Sequence, residues 1–385
     1  MKNVLLAAVL VAQALGALTA EAATATVSRD FRFEAASPAA LAVDNLVGDV
    51  RIEPAAAGAG FEVDVEVTAE ADAQPEAEDI ARAVQFRHRD GDGEATLQVV
   101  LPESRFPRIY RAGAPSGWFS GRMYVDYLGE RRRVTGDAAD GIRIRVDLVI
   151  RAPADSRLIV RNVLGDAAAT AFRGDLTLDG ALGRLSAQEG SGSLVLDSGS
   201  GPVEVARHTG SLRADTGSGP VDIEDCDCEI AVDTGSGAVT VRGGSGKLAA
   251  DTGSGGIRVE RFAGSVVADT GSGGVTVEEL SEAVSFVADT GSGSVRVRGD
   301  LSQLTELLID TGSGSVTLES DAWPSMEILI DTGSGGVSVD VPGALLRQDE
   351  DRRSVVRIGE AEARGIIDTG SGSVRLRTRV APAAD

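Results

Sequence analysis

Between residues 197 and 377 apolar and polar residues alternate in short bursts, and the bursts are separated by one recurring turn sequence. Asp-Thr-Gly-Ser-Gly, or Asp-Ser-Gly-Ser-Gly in the first copy, begins at Asp197, Asp215, Asp233, Asp251, Asp269, Asp289, Asp310, Asp331 and Asp368. Six residues after each Asp stands an aliphatic: Val203, Val221, Val239, Ile257, Val275, Val295, Val316, Val337 and Val374. Eight residues after stands another, from Val205 and Ile223 through Leu318 to Leu376, and the residue between the two is polar in every copy. Period-two alternation marks a half-buried strand. A second apolar stretch precedes most of the aspartates, as at residues 230–232, 248–250 and 307–309. Each repeat therefore supplies two short strands and two turns.

The turns recur every 18 residues at first and then every 20 to 21, with a last gap of 37 that holds an irregular insert at 342–364. One such repeat cannot bury its apolar face alone. Stacking repeats about 4.8 Å apart pairs every strand and builds one continuous core. The predicted fold class is all-β, a β-solenoid (β-helix) of 18–21-residue coils. In the turn, Asp is expected to bond the backbone N–H two residues on, each Gly to supply positive φ, and stacked Thr and Ser to form ladders. Weaker repeats at 158–160, 174–178 and 192–196 extend the predicted solenoid to 141–380. Residues 23–140 read as a β-rich capping region, with strands at 43–52 and 61–67 and a helix at 76–84, where Ile80 and Val84 lie four apart. An irregular insert at 102–135 carries Trp118, all three tyrosines and Arg131, Arg132 and Arg133. This region and the 342–364 insert are expected to cover the ends of the stack, because a bare coil exposes sheet edges.

The Asp-Thr-Gly-Ser-Gly-x-Val-x-Val units, clearest at 215–223, 233–241 and 289–297, resemble the bacterial "putative-adhesin" β-strand-repeat family. The segment Gly48-Asp49-Val50-Arg51-Ile52 is similar to that family's opening strand. The resemblance covers most of the mature chain. It implies an extracytoplasmic solenoid of unassigned function, with no catalytic residues and no binding residues to carry over.

The first residues add an address. Lys2, the apolar run 4–18 and Ala20-Glu21-Ala22 read as a secretory signal peptide over 1–22, so the mature chain is expected to begin at Ala23. The apolar run is short of the roughly 20 residues that span a bilayer, and no integral membrane span is expected after cleavage. The expected location is extracytoplasmic: periplasm, cell surface or secreted. The net charge of −22 disfavours nucleic acid and anionic lipid. It leaves a surface, glycan or protein partner. Cys226 and Cys228 are the only cysteines. A C-x-C bridge between them would close a very small loop and stabilise little through chain entropy, and two thiols alone do not make a metal site.

Three chemistries compete for the repeated aspartate. The segments 307–313 and 328–334 look like the aspartic-protease motif, but that chemistry needs two aspartates from two lobes sharing a proton. Nine copies at coil spacing read instead as turns. A column of aspartates could attract calcium, yet the Gly-Gly-x-Gly-x-Asp calcium repeat is absent, since Leu248 stands where Asp is needed after residues 243–246. A polysaccharide-active β-helix enzyme would cluster carboxylates on one outward face, and the outward positions between the aliphatic pairs are mixed. No catalytic, cofactor-binding or metal-ligating residue is expected, and no cofactor. Two residues before the Asp, later coils carry Val267, Val287, Leu308, Leu329 and Ile366, an apolar stripe to be covered either by the N-terminal region or the 342–364 insert, or by a docked partner or second copy. The sequence thus points to an exported, non-catalytic β-solenoid, an adhesin or cell-envelope scaffold. A calcium-stabilised surface binding module and a polysaccharide-active enzyme are the alternatives.

Overall fold

The computed structural model describes residues 22–33, 40–90, 93–102, 109–111, 122–135, 142–348 and 353–379. The expected signal peptide, apart from Ala22, and Trp118 lie outside them. The described chain is almost entirely β-strand, with one helix, and its coils form a β-solenoid. It divides into two compact units, Met1–Gly201 and Pro202–Asp385.

In the first unit, strand Phe61–Ala71 lies between Ala23–Phe33 and Ile142–Ala152, antiparallel to both. The helix predicted at 76–84 runs over Gln74–Ala83, with Pro75 in its first turn, where a missing N–H costs nothing. It buries Ala77, Ile80 and Ala81, packing on two of these strands. The first coil is formed earlier in the chain than the repeats suggest. Ala40–Val47 and Val50–Pro54 stack in parallel on Ser156–Leu164 and Ala167–Thr170, although residues 55–155 intervene. Leu41, Leu158, Leu176 and Leu194 then form one inward column, and Val43, Val160, Leu178 and Leu196 the next. Asn45 and Asn162 stack, fully buried, at the corner of the first two coils. Asn45 Nδ2 donates to Asn162 Oδ1 and to Val146 O, each at 2.9 Å, and Asn162 Nδ2 donates to Gly48 O at 2.9 Å.

Part of the stretch expected to be irregular is ordered strand. Arg122–Tyr127 and Glu130–Thr135 form an antiparallel hairpin. Its two turn residues, Leu128 (φ 51°) and Gly129 (φ 78°), are both left-handed, as a tight hairpin with the correct twist requires. Leucine at the first of these positions hides the turn from sequence reading. Tyr127 is buried and donates its hydroxyl to Val99 O (2.7 Å) and Asp44 O (2.9 Å).

In the second unit the aliphatics six and eight residues past each Asp point inward and stack in register. Two columns complete the core from the strand before the turn. One is Leu212, Ile230, Leu248, Val266, Phe286 and Leu307; the other is Ala214, Val232, Ala250, Ala268, Ala288 and Ile309. The corner ten residues past Asp holds left-handed Arg207, Asp225, Gly243, Arg261 and Glu279. Cys226 and Cys228 are buried beside this corner and are joined by a disulfide.

The last repeat in sequence is not the last coil in space. Ala363–Thr369 pairs in parallel with Glu306–Thr311 on one side and with Met326–Thr332 on the other. Val374–Thr378 likewise lies between Val316–Ser320 and Val337–Asp340. The stacking order of the turns is therefore Asp289, Asp310, Asp368, Asp331. The insert makes this possible. Leu345–Gln348 and Ser354–Ile358 form a hairpin, and Ser354–Ile358 runs antiparallel along the outer edge of Met326–Thr332. The chain thereby reverses before it re-enters the stack.

Candidate functional site

The repeated turn sequence divides its labour differently from the expectation. The threonine pins the turn. Thr216, Thr234, Thr252, Thr270 and Thr290 are almost fully buried. Each accepts the N–H of the glycine three residues on, at 2.7–3.0 Å. Thr252, Thr270 and Thr290 also donate to the glycine carbonyl of the coil before, at 2.8–3.0 Å. One hydroxyl thus satisfies a turn and ties two coils together. The glycines of these turns are not left-handed; they are required by close stacking. A Cβ on Gly255 would overlap the carbonyl oxygen of Gly237, and one on Gly273 that of Gly255.

With the turn held by threonine, the aspartates face outward. Asp197 and the later aspartates are exposed, and Asp215 is half-buried. From Asp215 the column runs in register through Asp233, Asp251, Asp269, Asp289, Asp310 and Asp368 to Asp331. Parallel pairing sets these carboxylates at rungs of about 4.8 Å. Arg213 lies 3.9 Å from Asp215. Among the described residues no basic side chain pairs with the seven from Asp233 to Asp331. Asp269 is partly desolvated and flanked by the charges of Asp251 and Asp289, and its carboxyl is pushed above its ordinary value. Asp368 is raised in the same way, by desolvation and then by Asp310 and Asp331.

The outward column of the second strand is built on the opposite plan. Glu278, Arg298, Glu319 and Arg377 follow one another with alternating sign from Arg298 onward. Arg298 reaches Glu319 at 2.9 Å and Glu278 at 3.4 Å, and Arg377 bonds the other oxygen of Glu319. Burial would raise the Glu319 carboxyl, but the bonds from Arg377 and Arg298 outweigh it and hold it below its ordinary value. Compensation is thus available to this chain, and among the described residues the seven aspartates from Asp233 to Asp331 go without it.

The apolar stripe is in register beside the aspartates, in the order Val267, Val287, Leu308, Ile366, Leu329. Val267 is 45% exposed, Leu308 41% and Ile366 49%, while Val287 and Leu329 are half-buried. The same position in earlier coils holds Arg213, Ala231 and Ala249, so the stripe belongs to one end of the stack.

Asp310 and Asp331 do not form a proton-sharing pair. Both are exposed, and the Asp368 rung stands between them. Among the described residues no group of three or more His, Cys, Asp or Glu has metal-site geometry. In the first unit an open cleft of about 540 Å³ is lined by arginines and carboxylates, among them Arg29, Asp64, Arg145 and Asp147. Arg145 Nε pairs with Asp147 at 2.7 Å, and none of the sequence-predicted residues lies in the cleft.

Residues 141–377 match the family model described as Toastrack DUF4097. The chain belongs to the Toastrack DUF4097 family. No curated protein matches it. Among solved structures it is similar to a "putative cell adhesion protein" from Clostridium sporogenes ATCC 15579, at 10% identity over 92% of this chain and 99% of that one, with a TM-score of 0.16. It is also similar to a "putative lipid binding protein" from Parabacteroides distasonis ATCC 8503, at 11% identity over 91% and 96%, with a TM-score of 0.30. Superposition this poor carries nothing into the reading of the Toastrack coils.

The aspartate column has a thermodynamic consequence. A carboxyl whose pKa is raised by folding favours the folded state below its unfolded value near 3.9. That contribution is lost as pH rises through the folded value, so at neutral pH the charge opposes folding. Asp269→Asn is therefore expected to raise the melting temperature at pH 7 in low salt, on the order of 1–2 °C. The gain should vanish below about pH 4. Thermal melts of both proteins at the two pH values check it. A variant that melts no higher at pH 7 would mean that the column costs nothing.

Proposed function

We propose that the protein is an exported, non-catalytic binding module of the cell envelope, an adhesin or scaffold that presents one long face of its solenoid to a surface, glycan or protein partner. The observation that carries this reading is the unbalanced face itself. Among the described residues seven aspartates stand in one column without a basic partner, beside a partly exposed apolar column. The neighbouring column shows that the chain can balance its charges. A face kept unbalanced and sticky on a rigid ladder suits recognition of something outside the chain. The family match over 141–377 supports a repeat scaffold, and the leader at 1–22 supports export.

Cell fractionation combined with protease treatment of intact cells tests the reading. The chain is expected in the envelope or medium, beginning at Ala23, with its coils reached by protease added outside an opened outer layer. Retention in the cytoplasm with residues 1–22 intact would contradict it.

A further inference from the structure

The two outward columns before the turn are parallel, and together they define the chemistry of what fits on them. Val267, Val287, Leu308, Ile366 and Leu329 run along the stack. Asp269, Asp289, Asp310, Asp368 and Asp331 run beside them, two residues further along each strand. On the other flank stand Ser265, Ser285, Glu306, Arg364 and Glu327. The apolar column is thus bordered by five aspartates and two glutamates against one arginine. Arg347 lies 3.7 Å from Glu327 at the end of the face.

A second copy of the chain does not fit this face. A two-fold axis across the stack would set Asp against Asp. An axis along it would set Asp against two serines and two glutamates, with Arg364 the one cation among these five rungs and Arg357 opposite Glu327 beyond them. Anionic lipid and nucleic acid are repelled for the same reason. The complement is an apolar ridge with a row of positive charge beside it.

The dimensions favour a helix. Five rungs about 4.8 Å apart span about 19 Å, which an α-helix covers in about 13 residues at 1.5 Å each. Its turns repeat every 5.4 Å, close to the rung spacing, so apolar residues at i, i+4, i+7 and i+11 can each meet one rung. Lysine or arginine beside that stripe then reaches the aspartates two strand residues away, about 7 Å. An extended strand laid along the stack repeats its same-side residues at about 6.8 Å and falls out of step with the rungs.

We propose that the face formed by Val267, Val287, Leu308, Ile366 and Leu329 with the adjacent aspartate column binds a cationic amphipathic helix. This rests on the binding-module reading above and names the class of its partner. Partial desolvation, and then repulsion from the neighbouring aspartates, raises Asp269 and Asp368; the repulsion is relieved when the partner's cations settle between them, so binding weakens as salt rises.

The test uses the purified mature chain and a synthetic 18-residue Leu/Lys peptide of helical period (about three to four apolar residues per two turns), measured by isothermal titration at low and physiological salt. Two control peptides are a Leu/Glu peptide of the same pattern and a Leu/Lys peptide of the same composition with the period scrambled. Binding by the patterned Leu/Lys peptide alone is expected. Leu308→Ser with Ile366→Ser should weaken it at least about tenfold, and so should Asp310→Asn with Asp368→Asn. All four positions are exposed, so both double variants should keep the parent's circular dichroism, and the asparagine pair should melt no lower than the parent. Equal binding of the scrambled or Leu/Glu peptide would overturn the proposal. So would unchanged affinity in either folded double variant, or a self-associated chain that the serine variant converts to monomer. If fractionation places the chain outside the cytoplasm while the peptide fails to bind, only the choice of partner falls. Cytoplasmic retention with the peptide still bound leaves the face intact and removes the envelope role.

Discussion

Gly273→Ala is expected to destabilise the second unit by about 3 kcal/mol or more, whereas Gly336→Ala, five residues after Asp331, should change little. Both glycines occupy repeated turns, and neither has positive φ, so conformational freedom does not separate them. Space does. A Cβ at Gly273 would overlap Gly255 O and lie 2.8 Å from Gly256 N, whereas a Cβ at Gly336 meets nothing within 4 Å. Backbone cannot yield there without breaking the bond from Thr270 Oγ1 to Gly255 O, now 2.8 Å. That would leave a buried hydroxyl and a carbonyl unsatisfied, adding about 1–3 kcal/mol. Urea unfolding of the two variants measures the difference. Equal stability would mean that the coils are not stacked as closely as the threonine ladder requires.

Ile367→Ala is expected to cost about 2–5 kcal/mol although Ile367 lies near the end of the chain. Terminal segments commonly fray, but this one is not at an edge. Ile367 is fully buried, and it stands between Ile309 and Ile330 in the core column. Its strand bonds to a neighbour on each side, for example Gly370 N to Thr311 O at 3.2 Å and Gly333 N to Thr369 O at 3.0 Å. Hydrogen exchange gives a second readout. The amides of Ala363–Thr369 should exchange as slowly as those of Glu306–Thr311, and those of the edge strand Leu345–Gln348 much faster. Fast exchange across Ala363–Thr369 would place the last repeat outside the stack.

The period-two pairs after each aspartate made the coil legible in the sequence, because every copy turns the same two positions inward and all but the outermost coil, where Val337 and Val339 are half-buried, bury them. The apolar stripe was legible for the same reason, since it is simply the other face of the preceding strand. The roles inside the turn were not. Asp and Thr are both turn formers, and only the burial of Thr252 and the exposure of Asp251 separate the residue that holds the corner from the one that faces outward. The second corner was hidden because its left-handed position is filled by Arg207, Asp225, Arg261 and Glu279 as well as by Gly243. The first coil was hidden because Asn45 and Asn162 replace threonine, and a long excursion separates Val50–Pro54 from Ser156–Leu164. The stacking order of the last two repeats could not be read at all. Residues 331–339 and 368–376 carry the same pattern, and either could sit against the Asp310 coil. The hairpin of Leu345–Gln348 and Ser354–Ile358, which occupies the outer edge of Met326–Thr332, decides between them.

An unbroken acidic and apolar face requires Asp368 to stand between Asp310 and Asp331, and engineered disulfides test that order most directly. Neighbouring rungs are about 4.8 Å apart, within the 4.4–6.8 Å range of Cα separations that a disulfide bridges, while alternate rungs are about 9.6 Å apart and beyond it. With the native Cys226–Cys228 bridge left in place, Asp310→Cys paired with Asp368→Cys is expected to crosslink on mild oxidation, as is Asp368→Cys paired with Asp331→Cys. Asp310→Cys paired with Asp331→Cys is expected to remain reduced. Rapid crosslinking of that third pair, with the first left reduced, would contradict the stack and the face built on it.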